Sequence, residues 1–592
     1  YVVPPGFRRD RDNTSTLERR LNEQSIELCV EDLPDRDARA VFKNVDFDLI
    51  NYGRIKMFLH AESQTTQDDE MLAFLRICTD FTQNYYEIQI PLKMTPDGST
   101  DPREIWPLEN EIDLDIDALY QLKSLRNRLN ADINLPFPQD GPQMVDRHGI
   151  RVLGNPDMST VYAMMIGIRN PESLDAAPKS VCIWANELRV SDFDQTNGWA
   201  ANASLNMKLA DLGNVTASVR HSTFGFGAIQ DRISQRTREE TTEFDVSASL
   251  SLDKFFPEKF GLQIPMFASY QKATITPQFD PRDPDITLEN SLESIADPDE
   301  RERYKKIAQD NTTRRSLNFT NIRKVKINPD AKSRFYDIEN FSFTYAFSDI
   351  NRSSYQMETY LYKSYKGALS YNFSPKEWTV APLQNSQAFS SPYLQMIKDI
   401  NFSPVPSNFS FRADVDRRFV KTQLWGVDEN NNLTINGIEP NFEKIFTFTR
   451  VYNLRWNLSR KLSLYYSARA LAIVEEPEGE RDTNEKRNQV KDNLLDLGRL
   501  KNFDQTLALN YRLPLDKIPF TDWINADLGY HINYSWAAGA FNPFNEANQK
   551  DTLGNVIQNN RDRNVTSRVD LVKLYNKITL LKDLNQPTRS RP

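Results

Sequence analysis

The chain has 592 residues, 39% hydrophobic and 26% charged, with a formal net charge of −9. That length exceeds what one hydrophobic core fills, so two or three structural units are expected, and the acidic balance excludes the basic footprint of a nucleic-acid binder. The longest apolar stretch, Val161 to Ile168, is far below the ~20 residues of a membrane-spanning helix, whereas a β-barrel hides its lipid face in alternation and is not excluded.

The first stretch, Pro4-Pro5-Gly6 and Arg8 to Asp12, is polar and turn-rich. Because the chain starts at Tyr1, without a signal-like segment, it reads as part of something longer, shortened by processing or truncation. Short apolar runs follow at Arg54 to His60, Leu72 to Cys78, Tyr85 to Pro91, Val161 to Ile168 and Val181 to Val190. Such runs between polar breaks predict a β-sandwich or jelly roll over residues 1–196. Asp117 to Asn130 predicts one helix, with Leu119, Leu122 and Leu125 on one face. Glu111, Asp113, Asp115 and Asp117 alternate, which predicts an exposed strand face rather than a calcium site. Cys29, Cys78 and Cys182 are too few and scattered for a disulfide framework or zinc site. His60, His148, His221 and His531 are isolated.

From about residue 200 the strands lengthen and alternate strictly. Ala203, Leu205, Met207 and Leu209 oppose Asn202, Ser204, Asn206 and Lys208, and Gly213 suits the following turn. Phe244 to Leu252, Phe341 to Phe347, Leu369 to Phe373 and Phe409 to Val415 repeat the pattern. One hairpin pairs a strand carrying Leu454 and Trp456 with one carrying Leu464; another carries Leu509, Tyr511, Leu528, Tyr530 and Ile532. These eight are the candidate lipid-facing residues. The opposite faces hold Asn453, Arg455, Asn457, Arg469, Asn510, Arg512, Asn525, Asp527, His531 and Asn533, the candidate lumen-facing residues. About thirteen strands over residues 197–572 are expected, an odd number that leaves two bare edges unless further strands complete the wall.

Connection lengths favour a membrane barrel. Tight turns (Asp211–Asn214, Ser459–Lys461) alternate with long hydrophilic loops (Gln278–Arg315, Arg417–Glu443, Glu475–Asn502), as in outer-membrane barrels with short periplasmic turns. Ser374–Ser407 breaks the rule by being long where a turn is due. By this alternation residues 1–196 lie outside the cell, and residues 573–592 form a periplasmic helical segment, with Leu571, Leu574, Tyr575, Ile578 and Leu581 at helical spacing. Asp297-Pro298 with Glu300 marks a helix start inside one long loop.

Several motifs then resemble a known family. Val3-Pro4-Pro5-Gly6-Phe7-Arg8-Arg9, Arg19 to Ser25, Trp184 to Val190, Thr276 to Pro281 and Tyr371 to Pro375 are similar to the SprA/Sov family. That family is the giant outer-membrane translocon of the Bacteroidota type IX secretion system, linked to gliding motility in some members. The resemblance implies an all-β chain: part of a very large transmembrane antiparallel barrel with an extracellular β-sandwich-like cap. It implies folded cargo carrying a C-terminal signal domain, a smaller substrate-collecting barrel protein, a periplasmic plug protein and outer-membrane lipid as partners. No nucleic acid, cofactor, metal or catalytic residue is expected. Two other readings stay open: an outer-membrane importer of smaller solutes, and a soluble or surface glycan-binding multi-β protein, for which Trp184 to Val190 is the candidate strand.

Overall fold

The computed structural model describes residues 2–6, 25–80, 82–129, 131–228, 230, 235–328, 333–389, 391–427, 433–434, 438–539 and 554–585. Arg8 to Asp12, the Phe7 to Arg9 and Arg19 to Gln24 parts of the quoted motifs, and residues 586–592 of the C-terminal segment lie outside them. The chain divides into two units. One comprises residues 1–202, 220–242 and 274–310; the other comprises 203–219, 243–273 and 311–592.

In the first unit, β1 (Ile26–Leu33), β2 (Ala38–Phe47), β3 (Tyr52–Glu62), β4 (Leu72–Cys78) and β5 (Tyr85–Pro91) come first. A short α1 (Pro102–Ile105), β6 (Ile112–Asp115), α2 (Asp117–Arg128), β7 (Gln143–Val145), β8 (His148–Leu153), β9 (Val161–Arg169) and β10 (Lys179–Phe193) follow. They form two sheets, ordered β1-β10-β3-β6 and β2-β9-β4-β5-β8-β7. Side chains alternate across a strand, so Ile55, Met57 and Leu59 of β3 meet Leu75, Ile77, Ile88 and Ile90 of β4 and β5 in one core. Leu119 and Leu122 of α2 join it. Full burial of each such side chain contributes about 1.5–3 kcal/mol.

Two features of this unit escape a linear reading. Cys29 of β1 and Cys182 of β10 stand opposite each other in the ladder and are joined by a disulfide. The expectation that the cysteines are too scattered is therefore corrected: their sequence separation of 153 is closed by strand pairing, which spacing does not report. Asp285, from the Asp280–Asp285 loop, is the second feature. It accepts from Tyr86 Oη (2.8 Å), Met158 N (2.6 Å) and Lys123 Nζ (3.4 Å), all buried. Burial pushes its carboxyl up, and Lys123 draws it back. The loop continues through α3 (Leu288–Ser294) into α4 (Pro298–Ala308), capped by Asp297, whose carboxylate accepts from Asp299 N at 3.0 Å.

The remaining strands build one antiparallel sheet. They are β11 (Ala200–Leu209), β12 (Gly213–Ser222), β13 (Glu239–Ser251), β15 (Pro265–Pro277), β16 (Asp310–Lys324), β17 (Phe341–Ser353) and β18 (Met357–Phe373). After them come β19 (Asn408–Leu424), β22 (Asn441–Asn457), β23 (Leu462–Ile473), β24 (Arg499–Arg512), β25 (Ile524–Ala537) and β26 (Val556–Val569). These are bonded in chain order; the short β14 (Leu262–Gln263) pairs with β16 off this path, and β20 (Gly426–Val427) pairs only with β21 (Leu433–Thr434). Gly213 opens β12 at φ +146°, where a Cβ would stand 2.0 Å from Ser249 O, so the tight turn requires glycine. The segment between β18 and β19 contains α5 (Gln395–Lys398), and the loop between β23 and β24 contains α6 (Asn484–Leu495). Beyond β26 the helical spacing resolves into two short helices, α7 (Leu571–Tyr575) and α8 (Thr579–Asn585).

Strand β11 bounds the sheet at one end and β26 at the other, so among the described residues the sheet is open and no closed barrel forms. Nor, among the described residues, does a second sheet pack on its apolar face. Among those residues the one buried apolar cluster of the second unit is Phe446, Val474 and Val490, where α6 lies against β22 and β23. Phe343, Leu369 and Met207 remain 45%, 43% and 44% exposed, large apolar side chains left open on one face of the sheet.

One prediction follows from the first unit. Glu87 on β5 is 2% exposed and bonds Arg76 Nε at 2.6 Å and Arg169 Nη1 at 2.8 Å. Burial pushes its carboxyl up, but Arg169 and Arg76 more than offset this and hold it below its ordinary value of 4.5. Its contribution is present above that value and is lost as pH falls through the lower folded value. Glu87→Gln strands two cations and should cost about 3 kcal/mol at pH 7. Hydrogen exchange of the β5 amides should show this loss, and its acid dependence below the ordinary carboxyl value of 4.5 should flatten.

Candidate functional site

Ladder register sorts the candidate residues into two faces. Leu454 faces Tyr466, Leu464 faces Leu509, and Leu507 faces Ile532. Trp456, Tyr511, Leu528 and Tyr530 continue this face, so all eight apolar candidates share it. Tyr345, Phe347, Tyr371 and Phe411 extend the band towards β17. Charge bounds the band at the long-loop end. Arg315 pairs with Asp349 (2.5 Å), Arg417 with Glu476 (2.6 Å) and Lys421 with Glu480 (2.6 Å). Arg450 also lies on this face, 5.2 Å from the ring of Phe448, which packs on the α6 cluster.

The ten polar candidates all occupy the opposite face, but the structure gathers only half of them. Asn453 accepts from Ser467 Oγ at 2.9 Å and Asn533 from Thr506 Oγ1 at 2.9 Å, while Arg512 donates to Asn525 at 3.4 Å. Asn453, Arg455, Arg469, Asn525 and Asn533 are spread along the strands. Asn457, Asn510, Arg512, Asp527 and His531 instead line one cavity of about 540 Å³ at the tight-turn end. Gly529 sits in its floor, where an added Cβ would have nothing nearer than His531 Nε2 at 3.5 Å.

The other wall of the cavity comes from the unexpectedly long connection. Residues 374–389 and 391–407 run as a strap beneath the neighbouring turns. Trp456 Nε1 donates to Ser403 O (2.8 Å), Ser403 N to Leu458 O (3.0 Å) and Arg460 N to Asn401 Oδ1 (2.8 Å). Lys517 pairs with Asp399 at 2.7 Å, and Tyr393 lies 6.1 Å from Phe520, ring to ring. The strap contributes Lys376, Glu377 and Trp378 to the lining, and Asn457 Nδ2 donates to Glu377 Oε1 at 3.1 Å. Alternation does not reveal these three residues. Their signal was length alone: a 34-residue connection, Ser374–Ser407, in place of a turn.

The cavity mixes Lys376, Arg460, Lys461 and Arg512 with Glu377 and Asp527, and Lys461 is already held by Asp516. Such a lining favours transient polar contact over tight capture of one ligand. The one close grouping of metal-type ligands among the described residues is Glu27, Cys29 and Cys182, whose thiols are consumed by the disulfide. Asp113, from the acidic run, is neutralised by Arg54 (2.8 Å) and Lys56 (3.0 Å).

With the faces and the strap in place, the comparison with known families becomes decisive. A family model described as motility related/secretion protein, the SprA N-terminal model, matches residues 1–292. Residues 1–292 are an SprA/Sov-family segment. The match takes in the whole sandwich and the Asp280–Asp285 loop, including the Trp184 to Val190 and Thr276 to Pro281 motifs. A search of the curated proteins finds no match.

The strap is held by bonds that can be cut singly. Trp456→Phe removes the donor to Ser403 O and should destabilise the strap by about 1 kcal/mol. Exchange of the Ser403 amide should then accelerate roughly fivefold, with the β23 and β24 amides unchanged.

Proposed function

We propose that this chain forms part of the wall and the extracellular cap of an outer-membrane protein translocon of the type IX secretion kind. On this reading the apolar band touches hydrocarbon, and the polar face lines a wet passage for folded cargo. The observation that carries it is the single sheet whose apolar face, apart from the α6 cluster at the long-loop end, has no second sheet packed on it among the described residues. A soluble sandwich would bury such a face against a second sheet. A lone antiparallel sheet of this breadth satisfies its backbone internally except at its edges, which further strands must cover in lipid. The partners expected of the family belong to the same proposal: a smaller substrate-collecting barrel, a periplasmic plug and cargo with a C-terminal signal domain.

Turn counting supports a cap outside the cell, and the Cys29–Cys182 disulfide supports an oxidising, extracytoplasmic location. The third thiol provides the control, since Cys78 is buried and burial pushes it up to about 11. In protein unfolded from cells without reductant, peptide mapping should find Cys78 alkylated and Cys29 and Cys182 protected. Alkylation at all three would place the cap in a reducing compartment.

The membrane reading makes a sharper demand. An Asp at Leu464 or Leu509 should block assembly into the outer membrane, since a charge at mid-depth costs up to about 2–4 kcal/mol. Asp at Asn510, on the polar face, should be tolerated. Membrane-integrated yield of the three variants is the readout, and equal yields would return the sheet to a soluble role.

A further inference from the structure

The apolar band does not reach the end of the sheet. Two rows of directly opposed residues can be followed across the strands. One runs Trp456, Leu464, Leu509, Tyr530 and ends at Arg563. The next runs Leu454, Tyr466, Leu507, Ile532 and ends at Arg561. Opposed residues of an antiparallel pair point to the same side. Two guanidiniums therefore stand on the apolar face of β26, level with its greasiest rows. Asn559, opposite Tyr534, and Ser567, opposite Ala526, add further polar groups on that side.

Neither arginine is placed where a barrel tolerates charge. Both lie near the middle of a 14-residue strand, whereas the other arginines on this face sit against the loop-end ion pairs and the α6 cluster. Arg563 lies across the ring of Tyr530, 5.8 Å from its centroid, instead of reaching along the strand. Neither has a carboxylate partner among the described residues. Exposed to hydrocarbon at mid-depth, each would cost about 2–4 kcal/mol. Anionic lipid headgroups do not relieve this, because they sit at the membrane boundary.

We infer that the outer face of β25–β26 is a docking surface for a separate protein bearing an acidic patch, and that this stretch of wall is not lipid-exposed. The inference rests on the membrane-wall reading. The partner is defined by charge complementarity. Carboxylates opposite Arg561 and Arg563 would neutralise them, and apolar contacts to Tyr530, Ile532 and Trp536 would continue the band.

The test uses the full-length protein in native outer membrane, with a photo-cross-linking residue at Asn559 or Val565 and, as control, at Leu509. Leu509 should label lipid; if it does not, the wall reading fails, not this one. The β26 positions should capture a protein whose mapped peptide carries Asp or Glu. Capture should fall about tenfold in R561E/R563E and return when those carboxylates are changed to Lys. Should the charge-reversed variant not assemble, raising salt on the unaltered arginines from about 0.05 M to about 1 M should lower capture similarly. Labelling of lipid from β26, capture of this same chain, or capture indifferent to charge reversal and salt would overturn the inference.

Discussion

Everything in the second unit depends on the two-residue period of a strand acting in a sheet one layer thick. With no second layer, the two faces cannot share one solvent and both be satisfied. Leu454, Leu507 and Ile532 need a partner that is not water; Asn453, Asn510 and His531 need one that is. A sandwich resolves this by pairing sheets, as the first unit does with Ile55, Leu75 and Ile88. The second unit has no such pairing among its described residues, and on the proposed reading its surroundings differ on its two sides.

That constraint explains where charge is placed. The ion pairs Arg315–Asp349 and Arg417–Glu476 stand where the band meets the long loops. They neutralise charge on the apolar side without spending hydrogen bonds inside the band. At the tight-turn end the strap performs a similar task with backbone groups. The Trp456 indole is tied to Ser403 O, so its N–H is satisfied while its ring stays with the band, the usual compromise for Trp at a polar boundary.

Much of this was legible in the sequence because period two is a local signal. The strands at Leu72 to Cys78 and Tyr85 to Pro91 coincide with β4 and β5, and the helix at Asp117 matches α2 to within two residues. Asp297-Pro298 opens a helix as its capping chemistry requires. What stayed hidden was long-range. Cys29 meets Cys182, and Asp285 meets Lys123, only after strands and loops are paired. No spacing rule encodes such closure. The strap was visible as an anomaly of length, but not as a wall of the cavity, because its residues show no periodicity to read.

The last strand shows how far the face rule reaches. Within β26 alone, Asn559, Arg561 and Arg563 alternate with Asn560, Asp562 and Asn564. Both faces are polar, and sequence alone gives no reason to call either one odd. Register supplies the reason: it sets Arg561 against Ile532 and Arg563 against Tyr530. A charge is anomalous only by comparison with its row, and the row exists only in the folded sheet. The same arginines on β11 would end a different row and carry a different meaning, so the chemistry of this sheet is written across strands as much as along them.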